Sequence, residues 1–261
     1  IIACPDCIPC IMNNALEASK MATGDEKLQE KAVTEVAKGL GEVSLEGTPL
    51  SIAYRALNTV REVTGSPDPY RELKKKSNEN ALELYPEMKE KVENSEDSLL
   101  TATKIAIAGN IIDFGPENDF DVEETIKEKL NGGFEIDHFE ELREEIEQAD
   151  EIIYLSDNAG EIVFDRLLIE QLTDKDIKFF VRGFPILNDA MRKEAEFVGI
   201  DEVAEIEEMD EDIGLDEISE EFENRLEEAD LVISKGQANY EAFSEIDPEM
   251  YFLLIVKCPL V

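Results

Sequence analysis

EIIYLSDNAGEIVFDRLLIEQLTDKDIKFFVRG, residues 151–183, joins two short apolar runs through a helix-like segment. The runs EIIYL and IKFFV have the length of buried strands, and EIVFDRLLIEQL between them carries apolar residues three and four apart, as an amphipathic helix does. A strand, a helix and a second strand in this order predict parallel strands with a helical crossover. We therefore expect an α/β fold.

The same alternation extends beyond this unit. A helical pattern precedes it, and two further apolar runs, LVISKG and YFLLIVKCP, follow it. This order predicts a mostly parallel sheet with helices on both faces. Residues 12–112 carry only helical spacing, and residues 113–135 have the pattern of a connection with a short acidic helix. The acidic stretch from Glu202 to Glu223 is predicted to be solvated helix and loop.

The chain is strongly acidic, with a net charge of −38 from 63 acidic and 25 basic residues among 261. This charge argues against nucleic acid and anionic membrane as partners, because both are polyanions. The sequence has no apolar run long enough to span a bilayer and no secretory pattern at its start, so we expect a cytoplasmic protein. An anionic substrate would need local positive charge from a metal ion or from specific lysines and arginines. The oligomeric state is left open.

Polar residues follow three of the apolar runs. In open α/β sheets ligands bind beyond the carboxyl ends of the strands, which here selects SDNAGE (156–161), RGFPILND (182–189) and KGQANYE (235–241). Asp157 and Asn158 place a carboxylate oxygen and an amide oxygen side by side, and this combination suits a hard divalent cation. All three loops should open on the same edge of the sheet.

Asp157, Asn158 and Asp189 are therefore candidate ligands for Mg²⁺ or Mn²⁺, and the alternative is a helix cap at a strand-to-helix turn. Lys235 and Gly236 suggest a phosphate contact through the ammonium group and backbone amides, the alternative being a solvated loop lysine. The sequence has neither a GxxxxGK[ST] loop nor a strand-linked GxGxxG. This argues against an ATP-driven engine or a dinucleotide oxidoreductase.

Three of the four cysteines, Cys4, Cys7 and Cys10, have consecutive CxxC spacing, and Cys258 lies at the other end of the chain. In a cytosolic protein this spacing favours metal or redox chemistry over structural disulfides. Three interpretations stay open: zinc with Cys258 as fourth ligand if the termini meet, an iron–sulfur cluster with an incomplete motif, or reduced buried thiols. The sole histidine, His138, is predicted to lie on the surface, which argues against a Ser-His-Asp triad and a multi-histidine zinc site.

Taken together, these motifs resemble the damage-control phosphatase family, also called domain of unknown function 89. The matching segments are CPDCIPC (4–10), GSPDPYRELK (65–74), AGNIIDFG (108–115), SDNAGE (156–161), GFPILNDA (183–190) and SKGQANYE (234–241). The resemblance implies a three-layer α/β/α, Rossmann-like core in residues 113–261. It also implies an all-helical N-terminal subdomain in residues 1–112 that packs over the active site. The cysteines are similar to those of the archaeal and prokaryotic branch, whose members we expect to continue beyond KCPLV.

The implied activity is hydrolysis of small phosphomonoesters, such as sugar phosphates or damaged phosphometabolites, with Mg, Mn, Co or Ni as cofactor. The implied metal ligands are Asp157, Asn158 and Asp189; the catalytic residues are Asp157, Asp189 and Lys235; the substrate or phosphate contacts are Asn110, Asp113, Glu161, Lys235 and Gly236. From spacing alone, Asn110 and Asp113 either cap an apolar helix or face the substrate. Water attacks directly, or Asp157 forms an aspartyl-phosphate. The alternatives in function are an S-adenosylmethionine-dependent carboxyl methyltransferase and a non-catalytic metal- or metabolite-binding module.

Overall fold

The computed structural model of this chain describes residues 1–42, 45–110, 132–209, 218–246, 249–258 and 261. Asp113 and most of the predicted connection at 113–135 lie outside these residues, so the predictions for them stay predictions. In the described part, the chain runs from a set of helices into a region where strands and helices alternate.

The first three helices pack on one another and form an apolar cluster of their own. They are α1 (Cys7–Ala22), α2 (Glu26–Leu40) and α3 (Pro49–Thr64). Helix α3 begins where Thr48 accepts a hydrogen bond from the backbone N–H of Ser51, and it ends at Gly65 in a left-handed conformation. Phe184 and Ile186 from the later α/β region complete this cluster, so the helices rest directly on a loop at the sheet edge.

The next three helices share a core with the sheet. They are α4 (Arg71–Glu93), α5 (Ser98–Gly109) and α6 (Phe139–Gln148). Met88, Ile105 and Leu142, one from each helix, belong to the same buried cluster as the strand residues Ile152 and Tyr154. Helices α4 and α5 thus form part of one layer against the sheet, while the division of the chain near residue 112 stays a prediction.

All pairings between the described strands are parallel. The strands are β1 (Glu151–Leu155), β2 (Asp176–Arg182), β3 (Glu205–Met209), β4 (Leu231–Lys235) and β5 (Tyr251–Leu253), in the spatial order β3-β2-β1-β4-β5. The remaining helices are α7 (Glu161–Ile169), α8 (Arg192–Phe197), α9 (Glu220–Glu228) and α10 (Gln237–Phe243). The α/β fold with a parallel sheet is confirmed.

The acidic stretch from Glu202 to Glu223 contains a strand, so the prediction of solvated helix and loop is wrong for β3. This strand lies at the edge of the sheet and pairs with β2 alone. Only Ile206 and Met209 of its five residues are buried. An edge strand needs few apolar residues, and its glutamates face solvent, which hides the strand pattern in the sequence.

The two faces of the sheet bury different clusters, as the alternation of side chains along a strand requires. Ile152 and Tyr154 face helices α4, α5 and α7, whereas Ile153 and Leu155 face α9 and α10. The result is a three-layer α/β/α core. The chain order reverses at β1, which lies between β2 and β4, and ligand sites form at such a switch point.

Candidate active site

The loops after β1 and β2 are joined by backbone pairing. Asn158 and Asp189 form an antiparallel bridge, and the N–H of Ala190 donates to the carbonyl of Asp157 at 2.8 Å. The N–H of Ala159 donates to the carbonyl of Asn188 at 2.9 Å. The structure therefore brings together the three residues predicted to hold a metal, with Asp157 and Asp189 both buried.

A buried arginine ties Asp189 to the third loop. Nε of Arg182 donates to Oδ2 of Asp189 at 2.9 Å, and Nη2 donates to Oδ1 of Asn239 at 2.9 Å. The amide of Asn239 in turn donates to the carbonyls of Ser156 at 3.0 Å and Lys235 at 2.9 Å. The ends of β1, β2 and β4 are thus fixed relative to one another by side chains that the sequence placed only in loops.

Two amide groups hold the carboxylates of Asp157 and Glu161. Nδ2 of Asn110 lies 2.8 Å from Oδ2 of Asp157 and 2.7 Å from Oε2 of Glu161. Nδ2 of Asn158 lies 2.6 Å and 3.3 Å from the same two oxygens. Oδ1 of Asn110 is buried and has no hydrogen-bond partner among the described residues. A buried carbonyl oxygen without a donor is unusual, and this oxygen is available to a further partner.

Lys235 points into the protein beneath the loops. Its Nζ donates to the carbonyl of Ala106 at 3.0 Å, to Oε1 of Glu161 at 2.7 Å and, in a shorter contact, to Asp165. The hydroxyl of Tyr154 donates to the same oxygen of Asp165 at 2.9 Å. An ammonium group has three donors, so these three acceptors account for all of them. Its predicted phosphate contact stays a prediction.

Two glycines with positive φ, Gly160 and Gly236, shape the loops around the carboxylate of Asp157. Gly236 has φ +81°, and a Cβ on it would overlap the carboxylate of Asp157. Gly160 also has a positive φ, and its N–H donates to Oδ1 of the buried Asn78 at 2.6 Å. The amide at the start of α7 is therefore occupied by a protein side chain and not left open as in a glycine-rich nucleotide loop.

Four buried carboxylates share the site with two buried cations in direct contact with them. The carboxylates belong to Asp157, Glu161, Asp165 and Asp189, and the cations are Lys235 and Arg182. The four carboxylates outnumber the two cations that touch them, and the charges of Lys257 and Lys74 act on Asp157 and Asp189 without direct contact.

Burial and neighbouring charges raise the pKa values of three of these carboxyl groups, those of Asp157, Asp165 and Asp189. Burial, followed by the charges of Glu161 and Asp189, raises the pKa of Asp157 well above its ordinary value. Burial also raises the pKa of Asp189 despite Arg182, and it raises the pKa of Asp165 to about 7 despite Lys235. Burial lowers the pKa of Lys235, but Asp165 and Glu161 together raise it above its ordinary value. The shifts of the carboxyl groups all favour the protonated form, because burial penalises the charged form.

The donor set fits a hard divalent cation. Across the described ranges, no three His, Cys, Asp or Glu side chains form a ready metal cage by themselves. The set at this edge also includes the amide groups of Asn110 and Asn158, each of which carries one carbonyl oxygen, a ligand atom that such a cation accepts. Two observations favour this fit: the unpaired oxygen of Asn110, and buried carboxylates that outnumber the cations that touch them.

Several residues of the site were not singled out from the sequence. Asn78 and the fully buried Lys74 both lie on α4, and Nζ of Lys74 lies 2.9 Å from Oδ2 of Asp68. Polar residues at 74, 77, 78 on a helix whose next turn buries Ala81 were the available signal, because they share one face. Lys257, after β5, donates to the carbonyl of Asn110 at 2.7 Å, and the sequence pattern gave no sign of this.

The thiols gather where the two ends of the chain meet. Sγ of Cys4 and Sγ of Cys7 lie 3.9 Å apart, and Cys258 accepts a hydrogen bond from Nε2 of Gln237 at 3.2 Å. Cys258 is close enough to Cys10 to act on it electrostatically. All four cysteines are free thiols. His138 is exposed just before α6, as predicted.

Among the helices that the structure describes, none combines the length and apolarity needed to cross a membrane.

Fold and site together define an α/β protein with a buried, acidic, oxygen-donor centre at the switch point of a parallel sheet. Residues 3–261 match the family model of the damage-control phosphatase ARMT1-like domain. The chain belongs to this family, as its motifs indicated, and membership supports a phosphatase-type hydrolase activity.

Known relatives cover nearly the whole chain. A damage-control phosphatase of Archaeoglobus fulgidus is 36% identical over 97% of this chain and 92% of its own length. Another from Pyrococcus horikoshii is 33% identical over 98% of this chain and 91% of its own. An uncharacterised protein of Methanocaldococcus jannaschii is 37% identical over 97% and 88%. A crystal structure of a DUF89 family protein from Pyrococcus horikoshii superposes with a TM-score of 0.87 at 30% identity, covering 99% of this chain and 93% of that one.

Proposed function

We propose that this protein is a metal-dependent phosphatase that hydrolyses small phosphomonoesters, such as sugar phosphates or damaged phosphometabolites. The observation that carries the proposal is the joining of Asp157, Asn158 and Asp189 at one sheet edge, where buried carboxylates outnumber the cations that touch them. The names of the relatives from Archaeoglobus fulgidus and Pyrococcus horikoshii support the phosphatase class.

Asp157, Asn158 and Asp189 would hold the divalent cation, with Asn110 beside them. When bound, such a cation lowers the pKa of water and neutralises charge on a phosphoryl group. Arg182 fixes the orientation of Asp189, and the amides of Asn110 and Asn158 fix that of Asp157. In this proposal either aspartate would orient or deprotonate a water molecule that attacks directly; attack by Asp157 itself is the alternative.

In this proposal Lys235 positions a carboxylate, whereas its place in the loop after the strand suggested a phosphate contact. Its three donors are engaged by Ala106, Glu161 and Asp165, and its side chain is fully buried. We assign it the role of positioning Glu161 and balancing its charge. It would hold the carboxylate network in place beneath the phosphate.

Lys257 is better placed to contact the substrate. The residue is exposed after β5, its Nζ reaches the carbonyl of Asn110 at 2.7 Å, and its charge acts on Asp157. One of its three donors is used among the described residues, and the others are available to a phosphate oxygen. The backbone N–H of Lys257 donates to Oε1 of Gln237 at 2.9 Å, which holds this segment beside the site.

The test is phosphate release from p-nitrophenyl phosphate and a panel of sugar phosphates, with metal-stripped protein and single divalent cations added back. We expect turnover with at least one of Mg²⁺, Mn²⁺, Co²⁺ or Ni²⁺, and its loss in Asp157→Asn and Asp189→Asn. Asp174→Asn is the matched control, because its carboxylate is 77% exposed. Turnover that survives in the first two variants contradicts the proposed ligands.

Absence of turnover with every cation, in folded protein, would contradict the phosphatase proposal. Calorimetry with S-adenosylmethionine then tests the methyltransferase, and cation binding without turnover identifies a binding module. The N–H of Gly160 is bonded to Asn78, and the carboxylate of Asp157 lies at the same turn. The amide at the first strand end therefore already has a protein partner.

A further inference from the structure

Three of the four thiols, those of Cys7, Cys10 and Cys258, lie near residues of α10. Cys7 and Cys10 are three residues apart at the start of α1, so they share a helix face, and Cys4 lies in the turn before it. Glu241 of α10 is within electrostatic range of both Cys7 and Cys10. The backbone nitrogen of Ile1 donates to the carbonyl of Glu241 at 2.7 Å. The N-terminal segment therefore rests on α10.

The C-terminal thiol meets the same helix. Nε2 of Gln237 lies 2.7 Å from Oε1 of Glu241 and 3.2 Å from Sγ of Cys258. Cys258 in turn acts electrostatically on Cys10. Two segments separated by nearly the full length of the chain thus bring their thiols to one patch, formed by Cys4, Cys7, Cys10 and Cys258, which we call the thiol patch.

The spacing within the patch favours a single metal ion. Four thiolates at about 2.3 Å from a tetrahedral zinc lie about 3.8 Å from one another. Sγ of Cys4 and Sγ of Cys7 are 3.9 Å apart. Cysteines of an iron–sulfur cluster bind different iron atoms and stand further apart, so this pair matches a mononuclear site better than a cluster.

We propose that Cys4, Cys7, Cys10 and Cys258 bind one zinc ion that clamps the two ends of the chain together. In the described residues only the Cys4–Cys7 pair is already at ligand spacing, and no three ligands yet converge. Cys10 and Cys258 would complete the tetrahedron, which requires both side chains to move toward that pair. The thiols lose their protons to solvent on binding, which makes the affinity pH-dependent.

The site differs from the proposed catalytic centre in ligand chemistry. Sulfur ligands select zinc or other soft ions, whereas the oxygen ligands around Asp157 select hard ions. The zinc proposal does not depend on the proposed function. A protein that hydrolyses no phosphoester can still carry this clamp, and an active phosphatase can lack it.

The experiment is metal analysis of protein purified without oxygen, followed by replacement of zinc with Co²⁺. We expect about one zinc per chain, and strong visible absorption of tetrahedral thiolate-bound Co²⁺. Cys4→Ser, Cys7→Ser and Cys258→Ser should each lose the ion, whereas Asp157→Asn should keep it. Zinc retained by Cys258→Ser would overturn the claim that both ends of the chain share the ion.

A second measurement needs no variant, so a folding defect in the serine variants does not weaken the test. Thiol reagents are applied to metal-depleted wild-type protein before and after one equivalent of zinc. We expect reaction of four thiols to fall at least tenfold in rate when zinc is added. Unchanged reactivity, or iron with sulfide in the purified protein, would overturn the proposal.

Discussion

Gly236 is the residue whose replacement should damage the site most locally. Gly236→Ala places a methyl group against the carboxylate of Asp157, and φ +81° is unfavourable for alanine. We expect a stability loss of about 1–3 kcal/mol from the backbone alone. The affinity for a divalent cation should also fall, because the methyl group displaces the carboxylate of Asp157. Calorimetric titration with Mn²⁺ measures this.

Gly133→Ala is the matched control, since a Cβ there meets open space. If Gly236→Ala binds Mn²⁺ as tightly as the wild type, the carboxylate of Asp157 is not a ligand in the position described.

Asp157 should make metal-free stability depend on pH. Burial, Glu161 and Asp189 raise its pKa, so the folded protein keeps a proton that the unfolded chain releases above about pH 4. Folding then binds protons, and the free energy of unfolding falls as pH rises from about 4 toward the raised pKa. Urea unfolding in chelator between pH 5 and 8 should show this fall, reduced in Asp157→Asn.

Saturating Mn²⁺ should weaken the same pH dependence, because the cation replaces the proton. Equal pH profiles for metal-free wild type and Asp157→Asn would mean that Asp157 does not hold the proton. Asp189 and Asp165 also have raised pKa values, so a part of the fall persists in the variant.

At the scale of the elements, Lys235 joins β4 to α7 through carboxylates. Lys235→Met leaves Glu161 and Asp165 buried without their cation, and we expect a loss of about 3–5 kcal/mol in unfolding free energy. Lys235→Met with Asp165→Asn should recover part of the loss. Lys75→Met is the control, because that lysine is 63% exposed. If Lys235→Met keeps the stability of the wild type but binds phosphate more weakly, the substrate contact first predicted for Lys235 is correct and the positioning role is wrong.

The elements also differ in how far their sequence patterns predict them. Strands β1, β2 and β4 are buried on both faces and give continuous apolar runs, so they were predictable with their polar loops. Strand β3 is an edge strand with only Ile206 and Met209 buried, and it reads as acidic loop. The loop positions of Asp157, Asn158 and Asp189 followed from the strands. Asn110 was predicted to lie near the substrate, but its contact with Asp157 depends on how the helices pack over the sheet, as does the contact of Asn78 with Gly160, and no local pattern records that packing.

At the scale of the whole molecule, the net charge of −38 repels anions, so binding of a phosphate depends on the accessible lysines and arginines near the site. Lys257 lies near the C-terminal end of the described chain, yet its ammonium reaches Asn110. We expect Lys257→Gln to weaken competitive inhibition by inorganic phosphate about tenfold, with partial recovery in Lys257→Arg. Lys75→Gln, on the exposed face of α4, controls for the loss of a positive charge. Unchanged inhibition by phosphate would remove Lys257 from the substrate site.

The approach of Cys258 to the N-terminal cysteines depends on the fold of the whole molecule. The sequence spacing could only state it as a condition for a shared zinc site. Cys4, Cys7 and Cys10 were recognisable as a group, whereas the approach of Cys258 depends on β5 returning beside β4. The sheet order therefore explains why residues more than two hundred positions apart share one patch.

The central claim is that the carboxylates of Asp157 and Asp189 bind the divalent cation that enables phosphoester hydrolysis. The most direct measurement is titration of metal-stripped protein with Mn²⁺, following bound Mn²⁺ by electron paramagnetic resonance and phosphate release in the same samples. We predict one such Mn²⁺ per chain, phosphate release that rises in proportion to it, and loss of both in Asp157→Asn. Phosphate release that reaches its maximum without bound Mn²⁺ or another added cation, or full Mn²⁺ binding in Asp157→Asn, would contradict the claim.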